Sequence, residues 1–456
     1  MRPSICGSRI SRGATALIAV LPLCAQLARA QATSATVYPI DLPTTLRLAD
    51  AQNLDVQIAR ERVKEAQANR TSAIEQFFPW LAPGITYHRR DGVAQASPSG
   101  IIGNADYQAY SPGAALTAQI ALGDAIYNSL AARQLVRASG QGLETQRQGA
   151  ALRAAAAYFD LAKARALVDV VSEALTTSQD YQQQLHEAVA IGIAFRGDEL
   201  RVQSQTEHYQ IVLRQARERQ RVAAIDLAQV LHLDAGVELV PRESELVPLV
   251  LFDTASSMDA LVARAMRSRP ELKQTDALLA ASRASRNAAV YGPLIPSIGA
   301  QAFGGKLGGG PDSGRGKVGP VRDYTVGVTW RIGPGGLFDF GRINANNAQL
   351  ATVQLGDAKL KDAITADVVV SLTRVHSLSD QIALAEKSLG TANEALRLTR
   401  ARKQFGVGIV LEDIQAQQAV TQARSDYFTA IAEFDKAQYG LNKAVGGASE
   451  SSTSRP

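Results

Sequence analysis

Only two cysteines occur in the 456 residues, Cys6 and Cys24, and both stand near the start of the chain. The long remainder of the chain has no disulfide to rely on and must be held by packing and assembly. Aromatic residues are scarce at 5%, too few for a stacking platform along single-stranded nucleic acid. A surplus of one charge is missing as well. Lys and Arg number 48 against 43 Asp and Glu, but Arg2, Arg9, Arg12 and Arg29 lie in a first segment without acids. The remainder holds 44 basic and 43 acidic residues, so no basic footprint for nucleic acid is left. Beyond that segment no run of about 20 apolar residues appears, which excludes a polytopic helical membrane protein.

Catalytic patterns are lacking too. His88, His186, His208, His232 and His376 are scattered, with no i,i+4 pair and no cysteine partner, so no metal-ligand set is expected. The glycine-rich stretch near Gly316 and Lys317 fails as a phosphate loop: it would need Gly at 311 and Ser or Thr at 318, where Pro311 and Val318 stand. No G-x-S-x-G elbow is present. Neither an enzyme nor a bound cofactor is expected.

Residues 1–30 read as a signal peptide, with Arg2, Arg9 and Arg12 before an apolar stretch at 14–23 and Ala28-Arg29-Ala30 as the cleavage site. Leu23 before Cys24 is too large for a lipidation box. Residues 31–43 form an N-terminal linker, and two similar halves come next, at 44–232 and 258–445. Each opens on an amphipathic helix, the first after a Thr44/Thr45 cap and the second after Ser256/Ser257. Each helix is expected to run to a proline-marked stop, at Pro79/Pro83 and Pro293/Pro296. Pro79 and Pro293 are 214 positions apart, and the turn glycines Gly192 and Gly408 are 216 apart. Two unlike landmarks at nearly one offset point to an internal duplication.

After each proline pair the hydrophobic period changes to two, predicting hairpins over 84–122 and 297–332. Tyr324, Val326, Val328, Trp330 and Ile332 alternate with Thr325, Gly327, Thr329 and Arg331. Such a strand suits a half-buried soluble sheet or a membrane wall, and about 9–11 tilted residues cross a bilayer. Proline then disappears over 124–190 and again over 343–403, which predicts helices on the order of 100 Å long. Each turns at a glycine corner and returns, over 199–231 and 411–445. Candidate seam residues recur at about 3.5-residue spacing: Ala151, Ala154, Tyr158, Leu161, Val168 and Leu175, with Arg165 and Ser172 breaking the apolar pattern, then Ala416, Ala419, Ala423, Tyr427 and Ala430. The second seam is the cleaner one by sequence. Residues 233–257 read as an equatorial belt between the halves, and 446–456 as a disordered tail.

Four strands cannot close a barrel, and an open sheet edge in lipid costs several kcal/mol for each unpaired backbone group. A membrane wall built from this chain must therefore be shared between copies. The order of these pieces resembles the outer-membrane efflux protein family, the TolC-like channels. The matching stretches are Arg269-Pro270-Glu271-Leu272, the strand entries, Gly336-Leu337-Phe338-Asp339-Phe340-Gly341-Arg342, and Ala401-Arg402-Lys403-Gln404-Phe405-Gly406-Val407-Gly408. The resemblance implies a fold that is mainly α with membrane β. A trimeric 12-stranded β-barrel in the outer membrane of a Gram-negative bacterium would be continued by a periplasmic α-helical barrel. It also implies a passive exit duct served by a periplasmic adaptor (a membrane fusion protein) and an inner-membrane transporter. The alternative is a periplasmic coiled-coil adaptor or structural protein, which would share the helical hairpins but has no use for amphipathic strands.

A duct needs a gate, and acids cluster where the hairpins reverse: Asp198, Glu199, Glu412 and Asp413. Turned inward in a symmetric assembly they would form carboxylate rings that favour cations. Asp198 and Asp413 also sit at helix starts, where N-capping accounts for a carboxylate without any gate. Asp413 falls near the family's gate-acid position, while the second acid of that pattern is replaced around Ala416. The resemblance makes the tips, with Gly192, Gly197, Arg402, Gly406 and Gly408, candidate adaptor contacts; tight-turn geometry is the other role open to the glycines. Arg331 would face the barrel lumen or sit at its rim, and Trp330 and Phe338 are candidates for an interfacial aromatic belt or for packing at the strand–helix junction.

Overall fold

The computed structural model describes residues 37–95, 100, 102–104, 106–234, 236–243, 245–252, 257–311, 318–404 and 409–447. The proposed signal peptide, most of the tail, and Gly406 and Gly408 lie outside them. The first half contains β1 (Val37–Ile40), α1 (Leu42–Gln52), α2 (Leu54–Glu75), β2 (Trp80–Arg90), the short β3 (Val93–Gln95) and β4 (Ile102–Asn104), and β5 (Tyr107–Ala121). α3 (Leu122–Ala190) and α4 (Arg196–Val230) complete it, and β6 (Glu238–Pro241) comes after them. The second half runs α5 (Met258–Ser268), α6 (Pro270–Tyr291), β7 (Ser297–Pro311), β8 (Gly319–Thr329), α7 (Phe340–Gln404) and α8 (Val410–Ala444). Opening helices of 11 and 22 residues and return helices of 35 recur in both halves.

At 69 residues, α3 extends about 100 Å, and α7 nearly matches it at 65. Among the described residues no helix is long and apolar enough to cross a membrane. The α3–α4 corner is a Schellman turn: Ile193 N–H reaches Ala188 O, Gly192 N–H reaches Val189 O, and Gly192 takes φ +77°. α8 ends in the same way at Gly446, φ +73°.

The helix starts depart from the sequence reading. Asp41, not Thr44 or Thr45, caps α1, its carboxylate accepting from Thr44 N–H at 2.8 Å. The hydroxyl of Thr44, and then that backbone bond, hold the Asp41 carboxyl below its ordinary range, against a small opposing effect of burial. Each opening helix is also broken rather than continuous, at Asn53 and at Arg269. Asn53 turns its side-chain oxygen to Asp55 N–H and Val56 N–H and donates its amide to Val230 O at 2.9 Å. Arg269 is extended ahead of Pro270, as a residue before proline prefers. Its Nε donates to Ala444 O at 2.7 Å. Each break thus binds the last carbonyls of its own half's return helix, and such distant partners are invisible to a local pattern.

The four long strands form one antiparallel sheet in the order β2-β5-β7-β8, because β5 pairs with β7 across the halves. β2 starts at Trp80, ahead of the expected residue 84, and Pro83 is tolerated there because β2 is an edge. β8 ends at Thr329, short of the expected residue 332, where Gly333-Pro334-Gly335-Gly336 turns the chain away. The register sets Leu116, Ala302 and Tyr324 in one row and Ile120, Ile298 and Val328 in another on the same face. Thr117, Gln301 and Thr325, then Ala121, Ser297 and Thr329, form rows on the opposite face.

Below the sheet the described helices pack around two large apolar cores, with a smaller cluster of Val168, Val171, Leu213 and Ala216 between α3 and α4. Leu46, Tyr158, Leu161, Leu227 and Leu239 belong to the first; Leu272, Ile364, Val368, Phe434 and Leu441 belong to the second. The first seam proves the better buried: Ala154, Tyr158, Leu161 and Val168 are all buried. On α8 the expected line is displaced, with Ala419 exposed and Ala416 half-buried while Val420, Ala423 and Ala430 face inward. A regular seven-residue count misses this because α8 packs on both α3 and α7. The inter-repeat segment holds β6, paired parallel with β1, and then a strap across both cores. Tyr158 hydroxyl donates to Glu243 at 2.5 Å, Leu249 N–H to Asp435 at 2.7 Å, and Phe252 N–H to Gln438 at 3.0 Å.

Candidate functional site

The predicted gate acids lie near the hairpin tips, but they are not one ring of equivalent groups. The N-caps of α4 and α8 are Phe195 and Ile409, and neither start has a side-chain cap bond. Asp198 and Asp413 are therefore not caps; each sits in the first turn, where a carboxylate suits the exposed N–H groups. Asp198 pairs with Arg201 at 2.9 Å. Glu199 is only 8% exposed and is shared between His186 at 2.8 Å and Arg196 at 3.2 Å, so it braces α3 against α4. Glu412 bonds Arg402 at 3.1 Å and braces α7 against α8.

Asp413 is different. It lines a cleft of about 520 Å³ between the two hairpins, with Asp180, Tyr181, Gln205, Arg400 and Gln417. One of its carboxylate oxygens is buried without a hydrogen bond among the described residues. Burial first, and then the charges of Asp413 and Asp198, push the Tyr181 hydroxyl up to about 12. Polar contacts border the cleft: Arg400 donates to Gln417 at 3.1 Å, and Gln418 of α8 to Gln205 of α4 at 2.7 Å.

Further along α8 the hairpins are joined by charge. Arg424 meets Glu173 at 2.5 Å. Lys436 bridges Asp160 at 2.9 Å and Glu433 at 2.6 Å, with Lys163 beside both acids and Arg374 on Glu433. Burial works against ionising Asp160 and Glu433, but the bonds and charges of the two lysines outweigh it and hold both carboxyls below the ordinary range. Sequence reasoning missed this cluster. Its only local trace is an acid–lysine pair at i,i+3 on α3 and another on α8.

At the tip itself Gly192 makes the turn. Gly197 lies at the start of α4, where a Cβ would run into the Phe195 ring. Around Gly192 the corner exposes Ile191, Ile193 (78%) and Phe195 (73%). At the opposite end, the motif that closes β8 is built for anchoring. Asp339 accepts from Gly335 N–H and Arg342 N–H, and Arg342 reaches Asp124 at the start of α3 at 2.5 Å. Those two backbone bonds hold Asp339 below its usual range, against a weaker effect of burial. Phe78, Trp80, Tyr291, Trp330, Phe338 and Phe340 are all exposed where strands give way to helices.

The described residues thus form an open antiparallel sheet mounted on two long helical hairpins. Residues 261–447, less than half of the chain, match the family described as outer membrane efflux protein. Through that region and its fold the chain resembles the outer-membrane efflux channels, as the sequence motifs had implied. A membrane protein from Pseudomonas aeruginosa superposes with a TM-score of 0.74 at 20% identity, over 89% of this chain and 93% of that one. The CmeC outer membrane channel of Campylobacter jejuni gives 0.72 at 16%, over 89% and 86%. The open-state MtrE outer membrane channel of Neisseria gonorrhoeae gives 0.71 at 19%, over 89% of each chain. No curated protein matches the chain in sequence.

Proposed function

We propose that the chain is one subunit of a homotrimeric efflux duct in the outer membrane of a Gram-negative bacterium, delivered there by a cleaved signal peptide. The observation that carries this reading is the open sheet. Among the described residues β2 and β8 each leave one edge unpaired, and the row of Leu116, Ala302 and Tyr324 belongs to a face with no core behind it. In lipid such edges must be paired by another copy. Three copies supply twelve strands, and their hairpins continue into the periplasm as a helical tube. The exposed aromatic residues at the strand–helix boundary suit the level of a membrane interface.

The tube is a passive conduit whose inner end is pinched where the hairpins meet. Asp413 and the polar contacts of its cleft are the gate elements, with Asp198, Glu199 and Glu412 in supporting roles. The apolar corner at 191–195 and the tip residues Gly192, Gly197, Arg402, Gly406 and Gly408 are the contact surface for a periplasmic adaptor, which couples the duct to an inner-membrane transporter. Outer-membrane fractionation with trimeric, heat-modifiable migration is the test, followed by unitary conductance in planar bilayers. Recovery as a soluble monomer without conductance would reject the duct.

A further inference from the structure

Arg331 stands two residues beyond the end of β8, on the polar side of the sheet. It lines a cleft of about 510 Å³ together with Gln119, Ser297 and Thr329. Ser297 and Thr329 are cross-strand partners in the polar row of Ala121, and Gln119 lies one row further along the same face. The register and the cleft therefore place the guanidinium on the same side by separate routes. Its backbone is held: Leu337 N–H donates to Arg331 O at 2.9 Å, and Gly333 N–H to Leu337 O at 2.8 Å. The side chain is exposed, and among the described residues no carboxylate pairs with it. Asp124, the one acid lining the cleft, is already bonded to Arg342.

We infer that Arg331 sets the charge preference of the duct where the strands meet the helices. An unpaired guanidinium on a fixed backbone raises the local concentration of anions and repels cations, and symmetric copies would make a ring of them. The acids of the tip act in the opposite sense at the other end of the helices, so an anionic solute meets its attractive site after the gate rather than at it. This rests on the proposal that the polar face of the sheet encloses a lumen.

The test is the reversal potential of the purified full-length trimer in planar bilayers under a KCl gradient. R331Q should raise the cation-to-anion permeability ratio roughly twofold, R331E further still, and R331K should leave it near the starting value. R331C offers a second reading: a cationic thiol reagent should restore the original preference, and an anionic reagent of the same size should move it the other way. Intact unitary conductance with the same ratio in R331Q, R331E and both labelled forms would overturn the inference. Absence of conductance from the unaltered protein would instead overturn the duct itself.

Discussion

Arg269 pairs with Asp367 at 3.2 Å across 98 residues, and the first half carries the same bond with its charges exchanged: Asp55 meets Arg153 at 2.6 Å, also across 98 residues. The two halves thus keep a contact between opening helix and long helix while reversing which side supplies the cation. They differ in burial. The Arg269 side chain is 6% exposed, whereas Arg153 and Asp55 are about half exposed.

That difference sets the first prediction. Arg269→Ala leaves the Ala444 carbonyl without its donor in a buried site, which costs on the order of 2–3 kcal/mol. Arg153→Ala removes a solvated pair worth below about 1 kcal/mol. Thermal inactivation of the two variants should separate them clearly, with R269A the weaker; equal midpoints would show that burial does not distinguish the two contacts.

Asp435 predicts a pH dependence. Its side chain is fully buried and accepts from Leu249 N–H, while its second oxygen has no partner among the described residues. Burial pushes its carboxyl up to about 7, against the opposing effect of that hydrogen bond. A carboxyl with a raised folded-state pKa takes up a proton on folding between its ordinary value near 3.8 and about 7. The strap's hold should therefore strengthen as pH falls through 7 and be weakest above it. Asp435→Asn should stabilise the protein at pH 8 and flatten this dependence, read by protease nicking of the strap at a series of pH values. Asp160 and Glu433 act in the opposite sense, losing their contribution only as pH falls through their depressed values.

The packing of α8 predicts a contrast within one helix. Ala423 is buried and Ala419 exposed, although both were expected on one seam. Ala423→Leu should cost about 1–3 kcal/mol through overpacking, and Ala154→Leu likewise on α3. Ala419→Leu leaves the subunit's own packing unchanged. Yields of assembled protein after extraction would show the ranking, and a loss with A419L alone would place that residue in a contact between copies.

At the tips, Asp413→Asn should lower cation preference in bilayers because its carboxylate lines the cleft between hairpins. Glu199→Gln should chiefly loosen the α3–α4 corner, since Glu199 is engaged by His186 and Arg196. If both variants change selectivity equally, the distinction between a gate acid and a brace fails.

Much of the architecture was legible because its causes are local. Proline-free runs gave α3 and α7, period-two stretches gave the strands, and Gly192 gave a corner that needs positive φ. The breaks at Asn53 and Arg269 were not legible, because their partners Val230 and Ala444 lie 177 and 175 residues away. The capping role expected for Asp198 and Asp413 failed for a related reason. A carboxylate at a helix start reads alike whether it bonds its own backbone, pairs with Arg201, or lines a cleft made by another hairpin.

The amino-acid order alone determined where the long helices and the amphipathic strands lie, and that four such strands would be too few to close, since periodicity and backbone sterics act over a few residues. Only the tertiary structure decided that β5 joins β7, that the strap locks onto Asp435 and Gln438, and that Asp413 rather than Glu199 faces the space between hairpins. Those outcomes depend on which distant surfaces exclude water together, and burial is a property of the assembled chain rather than of any window within it.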